Sequence, residues 1–220
     1  MTYHLPSKRP LRIIVTAGPT IEPIDPVRFI SNYSTGLVGY EIAKEAKKRG
    51  HSVILISGPT HLAPPKGVKF LKTTTAIDML KQVKKFFAGS DCLIMAAAIA
   101  DWRPVNVIKN KMKRGSMGRS FCLKLKENPD ILYSVSKAKG NKIMVGFALE
   151  TDNLFKNAAS KIKNKNLDLI VANKLTIKNN PFGRGTKEFY LIDKFGDARK
   201  VPPGSKAALA KLLLDSIEKL

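Results

Sequence analysis

Cysteine is scarce in this sequence. Cys92 and Cys122 are the only two among 220 residues, and neither stands at metal-ligand spacing from a second soft ligand. That excludes a disulfide-stapled scaffold and a thiolate zinc site. Both lie in apolar, strand-like runs and are expected to be free, buried thiols of a reducing compartment. Histidine is nearly as rare. His4, His51 and His61 are the whole supply, and no Ser-His-Asp or Cys-His set is evident. Long apolar runs are missing too. Nothing approaches the ~18 consecutive apolar residues of a membrane-spanning helix. Residues 1–10 are polar and lack the apolar centre of a secretion signal. Together these absences give the expectation of a cytoplasmic protein with no membrane attachment.

Negative charge is also in short supply. The sequence sets 17 Asp and Glu against 39 Lys and Arg, a formal net charge of +22. Such a surplus serves either nucleic-acid binding through phosphate contacts or the steering of small phosphorylated substrates. Its distribution argues for the second. Lys44, Lys47, Lys48, Lys81, Lys84 and Lys85 fall on the polar faces of predicted helices, where a solvated surface is the default. No basic stripe interleaved with aromatics and no nucleic-acid motif is present.

What is present is apolar material, 44% of the residues, in short runs that alternate with amphipathic ones. Runs at 12–17 (RIIVTA), 52–57 (SVILIS), 68–73, 91–98 (DCLIMAAA), 141–148 (NKIMVGFA) and 167–172 (LDLIVA) read as strands. The run 91–98 is apolar throughout, which suits the middle of a parallel sheet. Helical periodicity appears at 37–49, 75–87 and 153–164. Residues 120–124 read as a further strand. Segments 188–193 and 198–201 flank a glycine turn at 194–197 and read as a C-terminal hairpin. Ser205 then caps a last helix over 206–219. Alternation of this kind predicts an α/β fold: a Rossmann-like, mostly parallel sheet flanked by helices, in one domain over residues 1–220. Two stretches break the pattern. Residues 18–33 form a long proline-bearing loop. Residues 105–120 are basic and glycine-containing, and read as a flexible flap.

Five places can carry chemistry. The long loop ends in Arg28, Asn32, Ser34, Thr35 and Gly36 immediately before a helix, whose N-terminus presents free N–H groups to an anion. Ser34 read simply as an N-cap is equally consistent with the pattern. Met95, Ala96 and Ala97 end a buried strand in small residues that let a flat ligand approach the backbone. Asp101 follows at the strand's C-terminal end, where α/β ligands bind; a loop-capping aspartate is the plainer alternative. Lys111-Met112-Lys113-Arg114 on the flap can close over phosphates, or can be a solvated charge run. Asn128-Pro129-Asp130-Ile131 is a turn leading into a helix. Lys161 and Lys165 lie one helical turn apart, on one face.

Taken in order, the blocks TAGPTIEPIDPVRFISNYSTG, IMAAAIADWRP, KMKR, ENPDIL, VGFALET and NLDLIVAN resemble the phosphopantothenoylcysteine synthetase family over about residues 12–220. The resemblance implies a ligase of coenzyme A biosynthesis that joins 4'-phosphopantothenate to L-cysteine through an acyl-nucleotide. CTP is the implied co-substrate, ATP its alternative, and Mg²⁺ is held largely by the nucleotide phosphates rather than by a known set of side chains. It also implies Asn32 and Lys111 as catalytic residues, and Arg28, Ser34, Thr35 and Gly36 as binders of substrate or intermediate. The implied nucleotide site comprises Met95, Ala96, Ala97, Asp101, Lys111, Pro129, Asp130, Ile131, Leu132, Phe147, Lys161 and Lys165. A homodimer is expected, and the flavin-dependent decarboxylase that precedes this domain in bifunctional members is expected as a separate protein. Three positions depart from the family pattern: Leu37 where a lysine or arginine is common, Glu127 where lysine is common, and the segment 181–187 (PFGRGTK). They bear on nucleotide choice more than on reaction type. A non-catalytic nucleotide- or flavin-binding Rossmann-like protein, and a basic nucleic-acid binder, are the readings that compete with the ligase.

Overall fold

The structure, a computed structural model, describes residues 9–113, 120–175, 188–202 and 204–220. The flap residues 114–119, Arg114 among them, and the departing segment 181–187 lie outside the described residues. An 8-stranded sheet forms the centre, in the order β12-β11-β10-β9-β6-β1-β4-β5. Strands β1 (Arg12–Ala17), β4 (Ser52–Ser57), β5 (Lys69–Lys72), β6 (Cys92–Met95), β9 (Ile143–Glu150) and β10 (Leu169–Lys174) run parallel. Strands β11 (Phe189–Asp193) and β12 (Ala198–Val201) close one side as an antiparallel hairpin. The chain winds outward from β1 to β5 in one direction and from β6 to β10 in the other. The order therefore reverses between β1 and β6, the crevice where doubly wound sheets bind ligands.

Both faces of the sheet are covered. Helices α1 (Leu37–Lys48) and α5 (Lys206–Ile217) pack together over one face, with Ile42, Ala46, Leu209 and Leu213 fully buried against Ile13, Val15 and Leu55. Over the other lie α2 (Ala76–Phe87), α3 (Ile131–Ser136) and α4 (Leu154–Lys165), where Met79, Val83 and Ala158 meet Ile14, Leu93, Met144 and Ile170. Strands buried on both faces need apolar residues at successive positions, which is why these runs do not alternate. Local signals fix the helix ends. Thr75 and Asp78 form a capping box on α2, Asp130 caps α3 through the N–H of Tyr133, and Ser205 caps α5 through that of Ala208.

The fold departs from the expected elements in three places, and from the expected burial at Cys122. The loop at 18–33 contains a small antiparallel pair, β2 (Ile21–Pro23) with β3 (Phe29–Ser31), which its prolines conceal in the sequence. Strand β6 stops at Met95 because Ala98 leaves the sheet to exchange backbone hydrogen bonds with the loop after β1, at Gly18 and Thr20. The strand expected at 120–124 is instead β8 (Leu125–Glu127), paired antiparallel with β7 (Trp102–Pro104). Cys122 is exposed, whereas Cys92 is buried as expected, and burial pushes its thiol pKa up.

Candidate functional site

The segments after β1, β3, β6 and β8 are drawn together at the switch point by a weave of hydrogen bonds. Thr16 Oγ1 accepts from the N–H of Ala97 at 3.2 Å, and Thr20 Oγ1 from that of Ala100 at 2.9 Å. Asn32 Nδ2 donates to the carbonyl of Ile99 at 2.8 Å, and Asn128 Nδ2 to that of Ala100 at 2.8 Å. Asn128 is itself buried and receives Arg103 Nη1 at 2.7 Å on its Oδ1. The Ala96–Ala100 stretch, small and flexible in composition, is thereby held from both sides.

Over this floor lies a cavity of about 830 Å³, within the size range of small-molecule and cofactor sites. Asn32, Ser34, Thr35 and Gly36 line one end of it. Met95, Ala96, Ala97 and Asp101 line the floor, and Pro129, Asp130, Ile131, Leu132, Phe147, Lys161 and Lys165 line the remaining walls. Residues scattered over five segments of the sequence thus share one space. Asn128, singled out in the sequence only as part of the turn at 128–131, also lines the cavity with Glu127 and Trp102, and three residues that the sequence did not point to, Asn173, Phe189 and Lys206, complete the wall beside β10 and α5. Only the tertiary fold brings these last three near the cavity.

Neither serine nor threonine caps the helix at the cavity's end. Gly36 is the N-cap, in the left-handed region at φ 77°, and having no side chain it makes no capping hydrogen bond to α1. A Cβ at Gly36 would lie 2.8 Å from Thr60 Cγ2 and 3.1 Å from the Gly18 nitrogen, so a side chain is refused on sterics as well as on φ. Ser34 Oγ and Thr35 Oγ1 make only long contacts, 3.3 and 3.4 Å, to the N–H groups of Gly36 and Leu37. The first turn carries no acidic residue. The positive end of a twelve-residue helix therefore faces the cavity, with no acidic side chain and no capping side chain at the N-cap position, and with only a long contact from Thr35 to the Leu37 N–H.

Two of the lysines that line the cavity, Lys161 and Lys165, pair with carboxylates. Lys161 Nζ lies 2.5 Å from Glu150 Oε1, and Lys165 Nζ lies 2.8 Å from Asp130 Oδ2. Partial burial pushes the Glu150 carboxyl upward, but hydrogen bonds from Lys161 and Asn157 outweigh it and hold the pKa below the ordinary carboxylate value. Each lysine is thus fixed in place by a carboxylate at the cavity wall and can share its remaining N–H donors with an anion.

Two expected site residues stand apart. Neither Arg28 nor Lys111 lines the cavity. Arg28 pairs with Asp25 at 2.7 Å and donates Nη2 to the carbonyl of Met112 at 3.1 Å, while Lys111 is exposed. His51 and His61 also lie away from the cavity, and His4 falls outside the described residues. Among the described residues no three His, Cys, Asp or Glu side chains converge as a metal site, and no helix is long and apolar enough to cross a membrane.

Fold and site define a doubly wound α/β domain with a cleft at its topological switch point. The chain belongs to the family described as the DNA/pantothenate metabolism flavoprotein C-terminal domain, whose model matches residues 9–220. It is 42% identical over 209 residues to the coenzyme A biosynthesis bifunctional protein CoaBC of Bacillus subtilis, covering 94% of this chain and 51% of that protein. The chain therefore spans about half the length of the curated relatives it matches. Among solved structures it superposes with TM-score 0.82 on the C-terminal domain of a coenzyme A biosynthesis bifunctional protein CoaBC, at 35% identity, covering 97% of this chain and 96% of that one. A DNA/pantothenate metabolism flavoprotein from Streptococcus pneumoniae gives the same TM-score at 27% identity, covering 95% and 99%.

Proposed function

We propose that this chain is a phosphopantothenate–cysteine ligase acting in coenzyme A biosynthesis with CTP. In the first step the carboxylate of 4'-phosphopantothenate attacks the α-phosphorus of the nucleotide. Pyrophosphate leaves and an acyl-cytidylate forms. In the second the cysteine amine attacks the acyl carbon, CMP leaves and an amide results. Family membership and the names of its relatives support this reading. The observation that carries it is one cavity that gathers the N-terminus of α1, Asn32, a small-residue floor and the lysines Lys161, Lys165 and Lys206 within one space.

The reaction needs no side-chain nucleophile. Positioning two reactants can lower a barrier by roughly 7–11 kcal/mol, and one aligned donor to developing charge adds about 3 kcal/mol. Asn32 is suited to that second task. With one amide hydrogen committed to the Ile99 carbonyl, the group is oriented, and its other hydrogen can meet the acyl-phosphate. In this proposal the α1 N-terminus with Ser34, Thr35 and Gly36 receives a phosphate. The Met95–Ala97 backbone and Asp101 address the base, and Lys161 and Lys165 meet the phosphate chain. Magnesium arrives with the nucleotide phosphates. Outside the cavity wall, Lys111 would act on the bound triphosphate from the basic segment and Arg28 from the turn between β2 and β3.

A homodimer in the cytoplasm completes the proposal. Val27, Phe29, Tyr33, Trp102, Val107, Phe121 and Leu125 are all large, apolar and exposed on or beside the two small sheets β2–β3 and β7–β8. Exposed apolar residues concentrated in this way favour a protein contact. The test of function is mass-spectrometric: incubation with 4'-phosphopantothenate, L-cysteine, CTP and Mg²⁺ should yield phosphopantothenoylcysteine. Its absence, from folded protein, would sink the ligase reading.

A further inference from the structure

Asp25 belongs to no group of cavity residues, yet its carboxylate is fully buried and has four donors around it. Oδ1 accepts from the N–H groups of Val27 and Arg28 at 2.8 and 2.7 Å, which fixes the turn between β2 and β3 as an Asx-turn. Those two bonds explain a buried aspartate in a tight turn and nothing more. Oδ2 does something else. It accepts Arg28 Nη1 at 2.7 Å and the backbone N–H of Met112 at 3.1 Å. Arg28 Nη2 in turn donates to the carbonyl of the same Met112, at 3.1 Å. The ion pair therefore grips one peptide residue by both of its backbone groups, 87 positions away in sequence. A second clip lies upstream, where the N–H of Ile108 donates to the carbonyl of Ile24 at 2.9 Å. Between the two clips lies Lys111, exposed.

From this we infer that Asp25 is a positioning residue for the basic segment. Through the Asp25–Arg28 pair it sets where the 108–112 backbone leaves the first hairpin, and so where Lys111 is presented. The inference rests on the ligase reading for its catalytic consequence, though not for the anchor itself. A lysine on an unanchored backbone would sample many placements, and a misplacement of about 1 Å can cost on the order of a hundredfold in rate. Burial pushes the Asp25 carboxyl upward, but the hydrogen bonds from Val27, Met112 and Arg28, together with the guanidinium charge, hold its pKa below the usual carboxylate value.

Asp25→Asn separates the two halves of this carboxylate. The amide oxygen can keep the Asx-turn, while its NH₂ faces the Met112 N–H and the guanidinium, donors against donors. Hydrogen exchange should accelerate by about tenfold or more in the segment 108–113 and stay unchanged in β2–β3, since one lost buried hydrogen bond of about 1.4 kcal/mol is a factor of ten. Pyrophosphate release should fall by roughly tenfold to a hundredfold. In a Lys111→Ala background the same substitution should cost no more than about twofold, because residues acting through one another are not additive. Unchanged protection of 108–113 overturns the anchor, and an undiminished further loss in the Lys111→Ala background overturns the positioning role. If Asp25→Asn does not fold, Arg28→Lys keeps a charge for Asp25 but lacks the second arm to Met112. Exchange in 108–113 should then rise alone, and no rise counts against the inference. A wild-type enzyme inactive with both CTP and ATP would defeat the ligase proposal, while the exchange result would still decide the anchor.

Discussion

Lys165→Met tests the electrostatics of the cavity. The ammonium lies 2.8 Å from Asp130, and the two side chains are 26% and 42% exposed. At that exposure their ion pair contributes at most about 1 kcal/mol to folding. A hydrogen bond from a charged donor to a nucleotide phosphate is stronger, about 1.5–3 kcal/mol. Binding loosens the Asp130 contact as it makes the phosphate contact, so the net loss in affinity should be about 1–2 kcal/mol, or roughly fivefold to thirtyfold. Asp130→Asn is the complementary change. It retains the oxygen that caps α3 through Tyr133, 3.0 Å away, but removes the charge that competes for Lys165. It should leave nucleotide affinity unchanged or tighten it. Titration calorimetry with Mg-CTP on both variants, at one fixed ionic strength, reads these effects. A Lys165→Met affinity within about twofold of wild type would refute the reasoning, being far less than the loss of a charged phosphate contact. So would an equal loss in Asp130→Asn.

Two further perturbations probe the scaffold. At Gly39, in the first turn of α1, an added Cβ would lie 2.6 Å from Ala17 Cβ and 2.9 Å from the Thr16 carbonyl oxygen. Gly39→Ala should destabilise the fold by about 1–3 kcal/mol through overpacking, measured by urea denaturation, and should also disturb Ala97, which Thr16 holds. Asp91 accepts from the Arg12 side chain and backbone and pairs with Arg9, and the Arg12 hydrogen bond leads in lowering its pKa to about 2. A folded pKa below the unfolded value stabilises above the unfolded pKa and ceases to do so as pH falls through the folded one. Both arginines are well exposed, so solvent screening leaves about 1 kcal/mol at most. Asp91→Asn should be less stable by that amount at pH 7, with the gap closing between the ordinary carboxylate pKa and about pH 2. A gap that persists at the acid end would contradict the assignment.

Much of the fold was legible in the sequence because the signals were local. β-Branched apolar runs gave β1 and β4 their full extents, and Ser205 caps α5 as its place before an amphipathic run predicts, through a bond that spans three residues. The hairpin β2–β3 was hidden because Pro23 and Pro26 mark loops, while its register depends on Asp25 and on the contacts of Ile24 and Ile108. Gly36 displaced Ser34 as the helix cap because the close approach of Gly18 and Thr60 selects the residue with no side chain, a constraint no local pattern reveals. The cavity residues were recognisable as ordered blocks, and their convergence follows from strand order. The pairing of Lys161 with Glu150 and the place of Asn128 under Ala100 are long-range and could not be read from spacing. Arg28, expected against substrate, is spent largely on Asp25 and Met112.

The measurement that bears most directly on the central claim is pyrophosphate release from CTP and from ATP, each with 4'-phosphopantothenate and Mg²⁺, with and without L-cysteine. The account predicts release with CTP that requires 4'-phosphopantothenate, with acyl-cytidylate accumulating until cysteine is added. Folded protein that releases none with either nucleotide would contradict it.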